Sequence, residues 1–389
     1  MKINLRVPVL LFLFLFAFGG LKAAQLSGSY TINPAGTATT TNFKDIRSAV
    51  TFMTSTSARN DGGPANSGTV GVNGPVTFWI SAGTYTEQIT IPAITGASTT
   101  NTVTFRGAGR SNTTLTFATS DANNRHTLKF NLATNVTFRD MSIVGTGSTH
   151  AWVVHIMGLN ANNNRIKNCS IRITGTGATS TSSNYIAVVI NNSATAATTG
   201  TRVDGTEIDS NSIDAGYYGI VAAGASSNLH VGLRITNNRI TNSYLYGVYG
   251  NYINGIHVNN NFIFPRVSYQ YNYGLYLTNS TCTGVNRHII TNNRIHGFGY
   301  YGIYIVSSNN LTGNKGFIFN NMVGGLMKYD YSRCLFLSSS SQYAISHNSF
   351  HKDISGYNNT YGAVYISGGT GISFRNNICS EKMVSQALP

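Results

Sequence analysis

Charged residues are scarce in this chain. Asp, Glu, Lys and Arg together make up 10% of its 389 residues, whereas about a quarter is usual in globular proteins. Proline is also rare, with 7 residues against 41 glycines. This composition disfavours long soluble helices and favours short strands joined by many turns, with Asn, Ser, Thr and Gly supplying the polarity. Aliphatic residues recur throughout, so the composition is not that of a disordered chain.

Long apolar runs are also missing, except at the N-terminus. There the chain reads MKINLRVPVLLFLFLFAFGGLKAAQ, with a basic start, an apolar run over Val7–Phe18 and small residues at Ala23-Ala24. The run is too short to span a bilayer comfortably, and its flanks are typical of a removable secretory signal over residues 1–24. We therefore expect a secreted or cell-surface protein with no membrane span in the mature chain.

Neither the cysteines nor the basic residues are clustered. Cys169, Cys282, Cys334 and Cys379 lack metal-ligand spacing, and four cysteines allow three disulfide pairings between which the sequence does not choose. Packing as small buried hydrophobic residues is the alternative. Loss of residues 1–24 would lower the formal charge from +14 to +11. Because Lys and Arg are scattered singly, we expect no nucleic-acid partner, only a bias towards acidic polysaccharides or other anionic surfaces.

One phrase, apolar-x-Asn-Asn-x-apolar, recurs along the chain. It is clearest at 235–240, 258–263, 290–295 and 318–323, and looser copies lie on both sides. The second central residue of the nine copies lies at positions 141, 169, 211, 238, 261, 293, 321, 348 and 377. The steps are 28, 42, 27, 23, 32, 28, 27 and 29 residues. We interpret GTGATSTSSNY (Gly175–Tyr185), which lies within the longest step, as an inserted loop.

Repeats of this length indicate a solenoid or a propeller. A propeller blade needs about 40 residues and four strands, which these steps do not support. A second phrase, Tyr-Gly followed by an apolar residue, alternates with the first from Tyr218 to Tyr361. We therefore predict a β-solenoid with three short strands per turn. Its turns would stack at roughly 4.8 Å, and nine copies would form a rod about 40 Å long.

The paired asparagines are explained by a sharp corner in each turn of such a solenoid. Asn tolerates a left-handed backbone better than other non-glycine residues. If the corner recurs in every turn, the amides can stack and hydrogen-bond to those above and below. We therefore interpret these asparagines as structural residues and not as catalytic ones.

The segments before the repeats follow a recognisable order. TNFKDIRSAVTFM (41–53) predicts an amphipathic helix with Phe43, Ile46, Val50 and Met53 on one face. Two strand segments follow, GPVTFWISAGTYTEQITIP and NTVTFRGAGRSNTTLTF.

Together with the repeats, this order resembles the right-handed parallel β-helix proteins of the pectate-lyase superfamily. The opening is similar to that of pectin methylesterase-like members, and the whole is similar to secreted bacterial surface proteins. The resemblance implies an all-β fold, a three-sheet right-handed parallel β-helix with a short N-terminal capping helix. It also implies a structural or turn-capping role for Glu87.

The expected organisation has three parts. A secretion signal occupies residues 1–24, a cap with a helix and a loop occupies 25–73, and β-helix repeats occupy 74–389. No capping helix follows the last repeat in the sequence, and an uncapped solenoid end would expose apolar surface and open strand edges. We therefore expect the repeats to be incomplete at the C-terminus.

The catalytic motifs that this resemblance would imply are missing. The Gln-Asp and Asp-Phe-x-Phe-Gly strands of pectin methylesterases are absent, and of the hydrolase segments only RIK (165–167) is present. The one dense group of acids is Asp204, Glu207, Asp209 and Asp214. It could supply the two carboxyl groups of a glycosidase or the oxygen ligands of a calcium-assisted lyase. The competing interpretation is a solvated face, because strand alternation sends Asp209 and Asp214 outward.

The tyrosines are unevenly distributed, since 19 of 22 lie at or after Tyr217. In the Tyr-Gly phrases the apolar residue should face inward and the residue after it outward. This places Tyr249, Tyr276, Tyr304 and Phe336 in one stacked row on a single face, which by resemblance is the face where enzymes of the superfamily bind polysaccharide. Exposed aromatic rows bind sugars, although stacked aromatics can also serve only to stabilise neighbouring strands.

Two functions follow from these observations. The first is an exported β-helix protein that acts as a surface scaffold or adhesin and binds polysaccharide along Tyr249, Tyr276, Tyr304 and Phe336. The second is a polysaccharide lyase or glycoside hydrolase with a non-standard site, which requires the four acids, or Arg and His residues near the tyrosines, to converge in one groove. We predict no cofactor or bound metal. Calcium is expected only if the protein is a lyase.

Overall fold

The computed structural model describes residues 25–266, 271–327, 331–355 and 361–384. The predicted signal over residues 1–24 lies outside the described residues. Every strand pairing in the three large sheets is parallel, and each strand inside a coil of repeats pairs with its counterparts one turn earlier and one turn later, whereas the end strands pair on one side. The chain is therefore a coil whose sides are three sheets, here named A, B and C.

Sheet A has 13 strands. Their bounds are Leu26–Ile32, Asn42–Phe43, Val72–Ile80, Val103–Gly107, Val136–Arg139, Arg165–Lys167, Glu207–Asp209, Arg234–Thr236, His257–Asn259, Ile289–Thr291, Gly316–Phe319, Tyr343–Ser346 and Ser373–Arg375. Sheet B has 11 strands. They are Gly83–Thr86, Thr113–Phe117, Ser142–Gly145, Ser170–Ile173, Ser212–Asp214, Arg239–Thr241, Phe262–Phe264, Arg294–His296, Met322–Met327, Ser349–Ser355 and Ile378–Val384.

Sheet C has 10 strands. They are Ile89–Ile91, His126–Asn131, Ala151–Met157, Tyr185–Asn191, Tyr218–Ala223, Tyr246–Asn251, Tyr273–Thr278, Tyr301–Val306, Arg333–Ser338 and Val364–Ser367. A small sheet pairs His230–Val231 with Ile253–Asn254, and a 3₁₀ turn spans Gly175–Thr179 within the predicted loop insertion. The predicted fold class, a right-handed parallel β-helix with three sheets and one N-terminal helix, is confirmed.

Inward-facing apolar residues of similar type stack in columns along the interior of the coil. In sheet A, the rings of Phe78, Phe105 and Phe138 stack with centroids 4.8 and 4.6 Å apart. Beyond them the same register continues with fully buried aliphatic residues such as Ile166 and Ile208. Because each level buries its apolar side chain only against its neighbours, stability depends on unbroken stacking along the rod.

The capping helix is shorter than the sequence predicted. It spans Ile46–Thr54, with Asp45 as the N-cap accepting a hydrogen bond from the Ser48 backbone N–H at 2.6 Å. Phe43 lies outside it, in a two-residue strand that pairs with Leu26–Ile32, because the side chain of Asp45 ends the strand and starts the helix. All four predicted apolar residues of this segment are nevertheless buried.

Glu87 joins this helix to the first turn of the solenoid. Its Oε1 accepts from the Ile46 N–H at 3.0 Å, and its Oε2 accepts from the Arg47 N–H at 2.9 Å. A carboxylate here satisfies orphan donors at the positive end of the helix. The capping role implied by the family resemblance is confirmed. The strand Leu26–Ile32 pairs directly with Val72–Ile80, so sheet A begins inside the segment assigned as a cap.

The two asparagines of the repeated phrase perform different tasks at the corner between sheets A and B. The first has a positive φ, as in Asn237 (57°), Asn260 (55°) and Asn292 (57°), which makes the corner. The second is buried, except for the partly buried Asn377 at the end, and its Oδ1 accepts from the backbone N–H and the Nδ2 of the asparagine one turn earlier. This asparagine ladder comprises Asn211, Asn238, Asn261, Asn293, Asn321, Asn348 and Asn377.

Glycine in the Tyr-Gly phrase is required by close approach. A Cβ on Gly274 would lie 2.3 Å from Ile295 Cγ2 of sheet B and 2.6 Å from the Gly302 carbonyl oxygen of the next turn. The same two contacts recur one turn later, where a Cβ on Gly302 would lie 2.3 Å from Val323 Cγ1. Sheets B and C therefore approach each other so closely here that only glycine fits.

None of the four cysteines is paired in the described residues, and Cys169, Cys282 and Cys334 are buried. Of the alternatives that the sequence left open, these three therefore pack as small apolar residues. Cys169 occupies the ladder position before Asn211, where its backbone N–H donates to Asn211 Oδ1 at 2.8 Å. Burial raises the pKa of the Cys169 thiol to about 12, so it stays protonated and unreactive.

Candidate functional site

One row of outward-facing side chains runs the whole length of sheet C. The strand register aligns Thr90, Lys129, His155, Val189, Val221, Tyr249, Tyr276, Tyr304, Phe336 and Tyr365. The row is polar at its start, aliphatic in the middle and aromatic over its second half. Sheet C therefore offers three chemically different surfaces along one line.

The aromatic half is a stacked ladder, which we call the tyrosine ladder (Tyr249, Tyr276, Tyr304 and Phe336). Successive ring centroids are 5.3, 4.8 and 5.0 Å apart, with interplanar angles of 7°, 12° and 13°. Tyr365 extends it, with its ring 4.8 Å from that of Phe336. The residues that precede them by one position, such as Val248 and Leu275, are fully buried in the core.

A second row of tyrosines lies beside the ladder and was not expected from the sequence. It comprises Tyr218, Tyr246, Tyr273 and Tyr301, with successive centroids 5.1, 5.1 and 5.6 Å apart. Each phrase turns two consecutive residues inward, the glycine and the aliphatic residue, so the tyrosines on either side of the pair share the outer face. The rows touch, since the rings of Tyr246 and Tyr276 are 4.9 Å apart. We call the two rows together the tyrosine face.

Stacking determines which atoms of the ladder meet solvent. The flat faces of Tyr276 and Tyr304 are covered by neighbouring rings, which leaves ring edges and hydroxyl groups outward. A sugar therefore cannot stack on these faces and would meet ring edges and hydroxyl groups. The hydroxyls of five tyrosines have no hydrogen-bond partner among the described residues, yet their oxygens reach solvent. These are Tyr246, Tyr249, Tyr273, Tyr276 and Tyr304.

The electrostatics of this face keep the phenols neutral. Burial raises the pKa of Tyr249, Tyr276 and Tyr304 above the ordinary value, and neighbouring tyrosines add to the rise. Burial and neighbouring phenols also raise the pKa of Tyr246 and Tyr273 in the second row. The hydroxyls are therefore hydrogen-bond donors and acceptors at every pH below about 10.

These shifts predict an alkaline loss of stability. Because the pKa of each phenol is higher in the folded than in the unfolded chain, the unfolded chain binds fewer protons above pH about 10, and the free energy of unfolding falls as the pH rises. We expect Tm to fall by roughly 5 °C or more between pH about 9 and 11. Circular dichroism melts would measure it. The Tm of the Tyr246→Phe/Tyr273→Phe variant should fall less over the same pH range. An equal fall in both proteins would show that these phenols do not cause the alkaline loss of stability.

The middle of the outward row is covered. Trp152, Ile186, Val189 and Val221 form a buried cluster outside the coil, beneath the loop that carries Ala197. The rings of Tyr218 and Tyr249 pack against this cluster, so the tyrosine face begins where the cover ends.

The loop insertion is held beside this face by Arg266. Its Nη1 donates to the Thr179 carbonyl at 2.8 Å and its Nη2 to the Ala178 carbonyl at 2.6 Å. Its guanidinium also lies 5.7 Å from the ring of Tyr244. The insertion therefore packs near one end of the tyrosine face.

The start of the row contains basic residues that sequence reasoning missed. Lys129 lies between Thr90 and His155 in the register, and His126 Nε2 lies 2.9 Å from Thr90 Oγ1. Burial lowers the pKa of His155 to about 4 and that of Lys129 below its ordinary value. His155 Nε2 lies 2.7 Å from Asn191 Oδ1. Thr90, Lys129 and His155 come from three separate strands, so only the register brings them together, and both imidazoles are buried.

The predicted acidic group does not converge on one groove. Glu207 and Asp209 lie on sheet A, where both pair with Lys167 at 3.3 and 3.4 Å. Asp214 lies on sheet B and accepts from Asn242 Nδ2 at 2.5 Å. Asp204 lies in the loop before sheet A and pairs with Arg202 at 2.8 Å.

The surroundings of Asp209 make it a poor proton donor. Burial raises its pKa, but hydrogen bonds from Thr236 and Asn237 and the Lys167 ammonium outweigh that effect and leave the pKa below its ordinary value. It is therefore ionised, and the strands of sheet C contain no Asp or Glu at all. The four acids therefore do not form the single groove that a lyase or hydrolase site at these residues requires.

His257, His288 and His296 lie in successive repeats of the sequence but do not line one face. His257 lies on sheet A, His296 lies on sheet B, and His288 is buried with its Nε2 3.1 Å from the Ser280 carbonyl oxygen. In the described ranges, no three His, Cys, Asp or Glu side chains come together as a metal site. The described part of the chain also contains no helix that is both long enough and apolar enough to cross a membrane.

The comparisons with known proteins agree with this architecture. Residues 198–379 match the family model described as the right handed beta helix region. Sequence comparison with curated proteins finds no match.

Two solved enzymes share the fold. DFA-IIIase from Arthrobacter chlorophenolicus A6, without its lid and in complex with GF2, has a TM-score of 0.56 and 13% identity, with 92% of each chain covered. The GH136 lacto-N-biosidase from Eubacterium ramulus has a TM-score of 0.52 and 9% identity, with 89% of this chain and 68% of that chain covered. At such identities the likeness establishes the parallel β-helix fold, and these neighbours are carbohydrate-related proteins.

Proposed function

We propose that this protein is exported and binds a polysaccharide along the tyrosine face, as a non-enzymatic surface scaffold or adhesin. The observation that carries the proposal is a grid of phenol hydroxyls, on Tyr246, Tyr249, Tyr273, Tyr276 and Tyr304, that have no hydrogen-bond partner within the described ranges. Stacking alone does not need those hydroxyls, because Phe336 stacks equally well in the same row. A polysaccharide is rich in hydroxyl groups, and these can donate hydrogen bonds to the phenol oxygens and accept them from the phenol O–H groups.

The spacing of the grid favours an extended ligand over a small one. The ladder repeats every 4.8 to 5.3 Å along the rod, so its hydroxyls form a line and not a pocket. Aromatic edges between the hydroxyls offer apolar contact to the ring hydrogens of a sugar. Neutral phenols and the absence of Asp and Glu from the strands of sheet C favour binding over hydrolysis, which needs two carboxyl groups at the scissile bond.

The second candidate, a polysaccharide lyase or glycoside hydrolase, is favoured by the structural neighbours. The DFA-IIIase structure contains GF2, and the other neighbour is named a lacto-N-biosidase. In this chain such an activity would need a site that the four predicted carboxylates do not form. One experiment separates the two functions.

The purified chain would be incubated with a panel of neutral and acidic polysaccharides, with and without calcium. Binding would be measured by affinity electrophoresis and products by mass spectrometry. We expect retardation by at least one polysaccharide and no shortened or unsaturated oligosaccharide. Products from any substrate would establish an enzyme and overturn the scaffold proposal. Neither binding nor products would overturn both functions.

A further inference from the structure

A cleft lies on sheet A, at the N-terminal end of the rod. It has a volume of about 700 Å³, and its walls include Trp79, Arg106, Arg139, Asp140 and Asn168. Trp79 is 45% exposed, which is unusual for so large an apolar side chain. The cleft lies on a different side of the coil from the tyrosine face, because the two surfaces belong to different sheets.

Two arginines in this cleft are held in place by one carboxylate. The Nε atoms of Arg106 and Arg139 each lie 2.9 Å from Asp140 Oδ2. Asp140 Oδ1 accepts from Asn168 Nδ2 at 2.6 Å, and hydrogen bonds and both arginines outweigh burial to lower the pKa of Asp140. The terminal amino groups of Arg106 and Arg139 make no hydrogen bond to any described residue. Asp140 therefore orients both guanidinium groups through their Nε atoms alone.

The arrangement carries unbalanced positive charge. Arg106 and Arg139 are direct cross-strand neighbours in sheet A, a placement that repulsion between like charges disfavours. One carboxylate cannot neutralise both, and their side chains are 42% and 39% exposed. The Arg106 guanidinium also lies 4.8 Å from the ring centroid of Trp79, so charge and aromatic surface are adjacent.

Asp140 occupies a position that the repeat normally gives to asparagine. It is the first central residue of the earliest copy of the phrase, and its φ of 58° makes the same corner as the later asparagines. Asn in this place would satisfy the backbone equally well. The carboxylate adds the ability to orient two arginines, which the corner itself does not need.

We propose that this cleft binds an anionic sugar residue, with the Trp79 ring against the sugar and the forks of Arg106 and Arg139 on its carboxylate or sulfate group. Paired guanidinium forks match a planar or tetrahedral oxyanion through several charge-assisted hydrogen bonds. Trp supplies apolar contact for the ring that carries the anion. The inference is independent of the proposed function, because no residue of the tyrosine face takes part.

Fluorescence of Trp79 tests the proposal directly. The other tryptophan, Trp152, is fully buried beneath a loop of sheet C and serves as a silent background. The full chain would be titrated with oligogalacturonate, a sulfated galactan oligosaccharide, neutral maltohexaose and inorganic sulfate. We expect a saturable change with at least one of the two anionic oligosaccharides. The tighter of the two identifies the anion as carboxylate or sulfate.

Variants establish which residues act. Arg106→Gln/Arg139→Gln should weaken binding by at least about 10-fold, and Arg139→Lys should have an intermediate effect because it keeps the charge and loses the fork. Arg239→Gln is the matched control, since Arg239 lies on sheet B with its guanidinium 4.6 Å from the ring of Phe262. Melting temperatures would confirm that each variant is folded.

Three results would overturn the proposal. They are no response to either anionic oligosaccharide, equal binding by the double variant, and inorganic sulfate binding as tightly as the oligosaccharides. Phenylalanine substitutions in the tyrosine ladder leave this cleft untouched, so they should not change the titration. Failure of the tyrosine proposal and failure of this one are therefore distinguishable.

Discussion

Replacing Asn261 by alanine is expected to lower the free energy of unfolding by about 4 kcal/mol. Asn261 is buried, and its Oδ1 accepts from the Asn238 N–H at 2.9 Å and from Asn238 Nδ2 at 3.0 Å. Its Nδ2 donates to the Ile235 carbonyl at 2.8 Å and to Asn293 Oδ1 at 3.0 Å. Alanine would leave the Asn238 N–H buried without this acceptor, whereas Asn293 Oδ1 keeps the backbone N–H of residue 261 and Asn238 Nδ2 keeps the Ile208 carbonyl. A buried donor left unsatisfied costs more than the lost bonds alone.

The neighbouring asparagine is the control for this prediction. Asn260→Gly keeps the left-handed corner, since glycine adopts a φ of 55° without strain. It loses only an exposed hydrogen bond from Asn260 Nδ2 to Asn237 Oδ1, so we expect a change below about 1 kcal/mol. If the two variants were equally destabilised, the division of tasks between the two positions would be wrong.

Solenoid unfolding needs a local measurement as well as a global one. Each turn contacts mainly its neighbours, so a solenoid need not unfold in one step. Denaturant titration followed by circular dichroism would give the overall loss. Hydrogen exchange would show whether the amides of Asn238 and Ile235, which flank the altered level, become the fastest to open. Uniformly faster exchange would indicate a cooperative rod instead.

The ladder shows how far the repeated phrase could be interpreted from sequence. Its period and the tolerance of asparagine for a left-handed backbone predicted both a corner and a column of stacked amides. The sequence did not show which asparagine does which task, because both positions contain the same residue type. Copies of the phrase that lack asparagine at the first central position show which position forms the corner. Asp140, Ser210 and His347 all have a positive φ at the first position.

Only one of the two rows of the tyrosine face was predicted from the sequence, because the glycines of the Tyr-Gly phrases interrupt the regular alternation of side chains. Regular alternation along a strand correctly predicted the outward ladder of Tyr249, Tyr276 and Tyr304. It missed the second row, because alternation fails where Gly247 and Val248 both face inward. A Cβ on Gly247 would lie 2.5 Å from Ile263 Cγ2, a contact between sheets B and C that no sequence pattern specifies.

The cleft on sheet A was not predictable, because its residues are far apart in sequence. Trp79, Arg106 and Arg139 become neighbours only through the exact pairing of three strands. In the sequence, Asp140 stands out only as a member of the earliest copy of the repeated phrase. Singly scattered arginines suggested no patch, yet a solenoid with about one turn per repeat stacks such residues into columns. In this fold, the strand register places residues that are far apart in the sequence side by side on one face.

Replacing the three tyrosines of the ladder by phenylalanine is expected to weaken polysaccharide binding by about 100-fold. The Tyr249→Phe/Tyr276→Phe/Tyr304→Phe variant removes three hydroxyls, each contributing about 1 kcal/mol if it bonds to the ligand. The rings, their stacking and the buried residues beneath them remain. Phe336 already occupies the next level with its ring 5.0 Å from Tyr304, so the row accommodates phenylalanine. Tm should therefore change little.

This variant separates recognition from scaffolding, which the sequence left undecided. Isothermal titration with the polysaccharide identified by the panel would give Kd, and thermal melts would give stability. Tyr30→Phe is the control, because Tyr30 lies on sheet A and its ring packs 5.4 Å from Phe78. Unchanged affinity in the triple variant would show that the hydroxyls serve no ligand and that the ladder only stabilises the strands. Lost affinity with unchanged Tm would show that the phenol hydroxyls, which stacking does not require, recognise the sugar.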